Sequence, residues 1–185
     1  GFEARKAIIH SEAGVSASAW QALAELGVLA LPIPAEHDGF DGTAIDQMVV
    51  MQALGRALTI EPVFATALGV HCLKLAGSHG DLLSQVAAGE LKLACAFNER
   101  QARHELNTIA STAARDGDAY VINGEKISVI HGAQAGQLIV SARSGGAQSD
   151  EQGISLCIVP ATTAGVSIQD ARSNDGLRIA TIRFN

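Results

Sequence analysis

The feature that most constrains this chain is a change of hydrophobic rhythm near residue 90. Before it, apolar residues recur at three- and four-residue spacing, the repeat of an amphipathic helix. After it, short β-rich runs alternate with Gly and Asn-Gly punctuation. Helices first and strands second imply segregated layers rather than alternating βαβ units. The expected fold class is therefore α+β: an N-terminal α-helical bundle over residues 1–90, then a small antiparallel β-barrel or sandwich over residues 91–185.

The spacing predicts a first helix from Ser16 or Ser18 to Leu26, with Trp20, Leu23 and Leu26 on one face. Either Ser could cap it; Ser18 with Gln21 has capping-box spacing. A second helix is expected from Thr43 to Leu58, with Ile45, Met48, Val49 and Leu54 as its apolar stripe. Pro62 opens a third that ends near Gly77, apolar most of the way round and so expected at the bundle centre. Asp81–Ala88 reads as a fourth. Strands are expected over residues 91–97, 111–115, 120–122, 126–130, 138–142, 154–159, 166–168 and 178–184. Asp116-Gly-Asp118 reads as a hairpin turn and Asn123-Gly124 as another. Ser144–Ser149 reads as a flexible surface loop.

Several classes are disfavoured. A net charge of −6 with no basic cluster argues against nucleic-acid binding. The apolar runs fall far short of the roughly 18 residues of a membrane span. The three cysteines, Cys72, Cys95 and Cys157, lie far apart in apolar stretches, which suits reduced thiols in a cytoplasmic protein. Glu36, His37, Asp38 and Asp41 do not fit an EF-hand, so no metal site is expected. No Walker loop or GxGxxG fingerprint is present. The chain starts without Met and stops inside an expected strand, which suggests a fragment.

An ordered set of phrases carries a resemblance. Leu26-Gly-Val-Leu-Ala-Leu-Pro32 with Glu36 and Gly39–Gly42, then Leu54-Gly-Arg56, fall in the helical half. Asp116-Gly-Asp-Ala-Tyr-Val-Ile-Asn-Gly-Glu-Lys126, Gly153-Ile-Ser-Leu-Cys-Ile-Val-Pro160, Gly165-Val-Ser167 and Gly176-Leu-Arg178 fall in the β half. Together they resemble the acyl-CoA dehydrogenase family over nearly the whole chain. Ser128–Gln134 with Gly176–Arg178 look most like the small subunits of pimeloyl-CoA dehydrogenase.

The resemblance implies FAD held between the β-domain and a C-terminal helical domain absent from this chain. It implies oxidation of an acyl-CoA thioester to the 2-enoyl-CoA, with a carboxylate taking the α-proton and flavin N5 the β-hydride. It also implies an electron acceptor such as an electron-transfer flavoprotein, and a homo- or hetero-oligomer. The catalytic base is expected in the missing domain, so no catalytic residue is assigned here.

Residue by residue, the family's Thr-Glu-Pro falls on Asn98-Glu99-Arg100. Asn98 keeps a donor and an acceptor in place of Thr. Phe97 beside it could pack on the flavin or sit in the core. The following Gly-Ser falls on Arg103-His104, which could meet a pyrophosphate by charge or lie in a solvated loop. The family's Trp-Ile-Thr falls on Ser128-Val129-Ile130, so the stacking Trp and the N5-bonding Thr are both replaced. Backbone N–H groups of Ser128–Ile130 remain available to the ring. His131 could take a polar role nearby or be structural. Phe97, Asn98, Glu99, Ser128, Val129 and Ile130 are thus the expected cofactor residues; Arg103, His104 and His131 are the expected substrate contacts. The replaced positions leave a second reading open: a non-catalytic structural subunit of a hetero-oligomer with a degenerate flavin site.

Overall fold

The computed structural model describes all 185 residues, Gly1–Asn185, as two compact units. The first comprises residues 1–93 together with 174–177; the second comprises residues 94–173 and 178–185. No helix is long and apolar enough to cross a membrane.

The first unit holds α1 (Phe2–His10), α2 (Ala17–Glu25), a short 3-10 turn (Ala35–His37), α3 (Ala44–Arg56), α4 (Val63–Ala76) and α5 (Gly80–Ala87). Ser16 is the cap of α2: its hydroxyl accepts from the Ala19 N–H at 3.1 Å. That removes one of the unpaired donors of a helix start and contributes about 1 kcal/mol. Thr43 and Asp46 close a capping box on α3, and the hydrogen bond from the Thr43 hydroxyl holds the Asp46 carboxyl below its ordinary range. Trp20 is buried with Leu29 and Val63, packed by Leu23, Ala24, Val28, Met51 and Leu54. Its indole N–H donates to the Gly89 carbonyl at 2.7 Å, so burying the ring strands no polar group. Gly69 lets α4 approach Leu93; a Cβ there would lie 2.6 Å from the Leu93 Cβ.

Three expectations change here. Helix α1, whose residues are all at least partly exposed, was not foreseen. On α3 three of the four expected stripe residues, Ile45, Met48 and Val49, are exposed; Leu54 is sheltered as expected, together with Gln47, Val50 and Met51. On α4 burial follows Val63, Thr66, Gly69, Val70 and Leu73, leaving Phe64 and Leu75 exposed, so the helix is covered on one side in this chain.

The second unit is a seven-stranded sheet formed by β1 (Leu93–Ala96), β2 (Thr112–Asp116), β3 (Ala119–Ile130), β4 (Gln137–Arg143), β5 (Ile154–Pro160), β6 (Val166–Arg172) and β7 (Arg178–Phe184). The strand order is β1-β4-β2-β3-β7-β6, with β5 on β4. Pairing is antiparallel for β2–β3, β3–β7, β4–β5 and β6–β7; β2 meets β4 in a single parallel contact at Thr112 and Arg143. Ala94, Ala96, Val129, Leu138, Val140 and Ile182 are among its buried core.

Asn123-Gly124 is not a turn. It lies inside the 12-residue strand β3, which pairs with β2 up to Asn123 and with β7 from Gly124 onward. A strand that changes partner in this way makes a corner between two sheet segments. Gly124 has φ +150°, and a Cβ there would lie 2.3 Å from the Ser111 hydroxyl. The glycine therefore serves a close approach. The Ser144–Ser149 segment is likewise not loose. The buried Arg143 guanidinium donates to the carbonyls of Asn107, Gln148, Asp150 and Gln152 at 2.6–3.0 Å. The Ile109 N–H adds a bond to the Gln148 carbonyl.

Candidate functional site

Two segments carry the expected cofactor residues, and the fold brings them together. β1 ends at Ala96 and runs on through Phe97, Asn98 and Glu99. The Asn98 carbonyl accepts from the Ile127 N–H at 2.9 Å, tying this exit to the second half of β3.

β3 is irregular at that point. Lys126 pairs with Ile182 and Val129 with Ala180, so β3 spends three residues where β7 spends two. The extra residue forms a bulge, a device that bends a strand and re-aims a side chain. Ser128 occupies it with φ +52°, a left-handed conformation that a non-glycine residue adopts only where its surroundings enforce it. Ser128 is exposed, whereas Val129 is turned into the core. Of the expected flavin residues, Val129 can therefore offer its backbone alone. Ile130 is half-buried and supplies hydrocarbon.

Beneath these segments lies an ion pair that the sequence reading did not single out. Lys126 is fully buried, and its Nζ donates to Glu99 Oε1 at 2.7 Å and to the Ser141 hydroxyl at 3.0 Å. The Phe97 carbonyl is 3.4 Å away. Glu99 is 3 % exposed. Its oxygens also accept from the N–H groups of Ser111 at 3.1 Å and Ala110 at 2.8 Å, and from Gln101 Nε2 at 2.5 Å. Burial pushes the Glu99 carboxyl upward; the hydrogen bonds from Lys126, Ser111, Ala110 and Gln101 outweigh it and hold it at about 2. Burial also lowers the Lys126 ammonium, while Glu99 pulls it back up. The Glu99 oxygens are thus spent on the chain's own donors, and the residue faces inward. The signal for Lys126 was present: alternation from Ile122 places residues 124 and 126 on the same inner face.

An open depression of about 310 Å³ lies beside the bulge, lined by Arg100, Ile127, Ser128, Gln169, Ala171, Ile179, Ala180 and Thr181. Arg100 lies 3.7 Å from Glu125, which also accepts from Arg183 at 2.7 Å. The depression thus joins a hydrocarbon floor to hydroxyl, amide and guanidinium donors. That mixture suits a planar heterocycle with polar edges.

The expected substrate contacts do not converge on it. Arg103 and His104 are exposed in the turns after Glu99, outside the lining of the depression. His131 is only 2 % exposed, with φ +54°, and its backbone N–H donates to the Arg178 carbonyl at 2.8 Å. No group of His, Cys, Asp and Glu is placed to hold a metal ion.

The chain is thus a two-part protein: a helical unit followed by a sheet whose bulged strand borders an open, donor-edged depression. Comparison with known proteins makes the class specific. Residues 3–90 match the acyl-CoA dehydrogenase N-terminal domain, and residues 94–185 match the acyl-CoA dehydrogenase middle domain. The chain belongs to the acyl-CoA dehydrogenase family. It is 34% identical over 180 residues to acyl-CoA dehydrogenase FadE26 of Mycobacterium tuberculosis, covering 89% of this chain and 44% of that protein. A variant of the Tcur3481-Tcur3483 steroid ACAD superposes with a TM-score of 0.87 at 24% identity, covering 97% of this chain and 48% of the other. An FAD-dependent dehydrogenase superposes with a TM-score of 0.83 at 25% identity, covering 99% and 53%. The chain spans less than half the length of curated relatives that it matches.

Proposed function

We propose that this chain supplies the N-terminal helical and middle β portions of an FAD-dependent acyl-CoA dehydrogenase, which oxidises an acyl-CoA thioester to the 2-enoyl-CoA. The observation that carries this reading is the junction of two segments. The β1 exit at Phe97–Glu99 and the bulge at Ser128 are hydrogen-bonded together beside one open, donor-edged depression.

The residues present fit the cofactor. Ser128 and Asn98 are exposed and polar, and Ser128 holds a left-handed backbone conformation. Ile127 and Ala171 give a hydrocarbon surface against which a ring can lie. Bound FAD would supply the two-electron redox chemistry; the chain's own part is to position it and to exclude water from one face. A structurally similar FAD-dependent dehydrogenase supports this choice of cofactor.

The wider proposal includes an acyl-CoA substrate, an electron-transfer flavoprotein as acceptor, a cytoplasmic setting and an oligomeric assembly. Arg103 and His104, exposed on their loop, are proposed to meet the anionic part of the ligand by charge. Among structures of similar fold, a ChsE4–ChsE5 complex supports the oligomeric assembly in kind, and one titled an electron transferring flavoprotein supports the electron-transfer partner in kind.

One observation favours a second reading. Ser128 is a small side chain and Ile130 carries no hydroxyl, so stacking and side-chain hydrogen bonding to the ring are both reduced here. A non-catalytic subunit that supports a catalytic partner would tolerate this. One experiment separates the two readings. The complete polypeptide, purified and freed of excess flavin, is expected to carry FAD in equimolar amount and to bleach near 450 nm on addition of acyl-CoA. A protein that stays colourless after incubation with FAD contradicts the flavin reading. Bound FAD that no acyl-CoA bleaches supports the non-catalytic one.

A further inference from the structure

The Glu99–Lys126 pair is an unusual expense for a small sheet. Taking two charges out of water costs several kcal/mol per ion, and well-packed apolar side chains of similar volume are often as stable or more so. Stability alone therefore does not account for the pair, and its position suggests what does. Glu99 closes the β1 exit; Lys126 is the last regular residue of β3 before the bulge. Lys126 also reaches the Phe97 carbonyl, and the adjoining Ile127 N–H is held by the Asn98 carbonyl. Ser111 and Ala110 N–H groups fix the other side of Glu99, and Ser141 on β4 fixes Lys126. These bonds fix Glu99 and Lys126, and the Asn98–Ile127 bond carries that constraint to the residue immediately before the strained Ser128. A left-handed non-glycine residue persists only where neighbours over-determine it.

We propose that the buried Glu99–Lys126 pair is a positioning device: it locks the β1 exit to the β3 bulge and so sets the Ser128 backbone against which the flavin rests. The inference depends on the flavin reading above. Neither residue touches the depression, so neither is a catalytic residue. Both act through Asn98, Ile127 and Ser128.

The test uses the complete polypeptide with FAD as the probe and three variants: Lys126→Met, the double variant Glu99→Gln with Lys126→Met, and Ser141→Ala. Lys126→Met leaves a buried carboxylate without its cation and lowers the melting temperature; the double variant removes both charges and recovers most of it. The positioning role predicts that FAD affinity does not recover with it. The FAD dissociation constant stays raised by about tenfold or more, and the flavin absorption band near 450 nm stays shifted. Amide exchange at Ile127 and Ser128 is faster than in the native protein, while Val140 on the β4–β5 ladder is unchanged. Ser141→Ala strands no charge, so it folds even if the others do not; it should shift FAD affinity in the same direction by a smaller factor. A double variant, or Ser141→Ala, with native FAD affinity, band and Ile127 exchange overturns the positioning role. A native protein that binds no FAD overturns the flavin reading itself, and the inference with it.

Discussion

Glu99 is held inward by the fold. It sits next to the cofactor candidates in sequence, yet its side chain points into the sheet and spends every oxygen on internal donors. Its folded carboxyl lies at about 2 against an ordinary 4.5, so the ionised form is favoured by the fold. For a depressed carboxyl the sign is fixed. The stability it contributes is complete above the ordinary range and is lost as pH falls from about 4.5 through about 2. The loss is on the order of 3 kcal/mol. Urea midpoints measured from pH 6 down to pH 2 should drop across that window, and Glu99→Gln should flatten the drop. A native-like slope in Glu99→Gln would mean that another group carries the acid sensitivity. Lys126 escaped the sequence reading because a lysine is assumed to be wet. Only strand alternation argued otherwise.

At the scale of elements, the sequence exposed most boundaries and misled where one signal has two physical uses. The cap of α2, the box at α3 and the Asp116–Asp118 hairpin turn follow from local chemistry and were legible. Asn-Gly usually marks a hairpin, but at Asn123-Gly124 the missing Cβ makes room for Ser111 at a strand corner. Gly124→Ala should therefore destabilise by about 1–3 kcal/mol, although the substitution lies in a strand, where alanine is otherwise tolerated. Chemical denaturation checks this, and a loss below about 0.5 kcal/mol would contradict the corner. β6 runs to Arg172 rather than Ile168 because backbone pairing with β7 holds its polar second half, helped by Arg178 bonding Asp170. The α3 stripe was only partly legible because apolar residues fall on more than one side of that helix: Leu54 packs on the core, whereas Ile45, Met48 and Val49 are exposed. The structure predicts that Ile45→Glu costs under about 0.5 kcal/mol in this chain, while Leu54→Ala costs about 2 kcal/mol. Thermal melts of the two variants check this; a costly Ile45→Glu would contradict the exposure of that face, and a cheap Leu54→Ala would contradict the sheltered place of Leu54.

For the whole molecule, the order of helices and strands was readable because it rests on periodicity summed over many residues. The family assignment was readable because its phrases are spread along the chain in order. What the sequence did not disclose depends on contacts between distant residues: the Glu99–Lys126 pair, 27 positions apart, and the Arg143 clasp, which reaches back 36 positions to Asn107. No local window contains either. The chain spans about half the length of its relatives; under the proposed function it would supply one face of a flavin cleft. Under the proposed function the β1 exit and the β3 bulge form a single flavin-facing surface. Amide hydrogen exchange on the complete polypeptide, with and without FAD, tests it most directly. FAD should slow exchange at Asn98 and across residues 127–130 together while leaving the β4–β5 ladder unchanged. Protection of one segment without the other, or of neither, would contradict it.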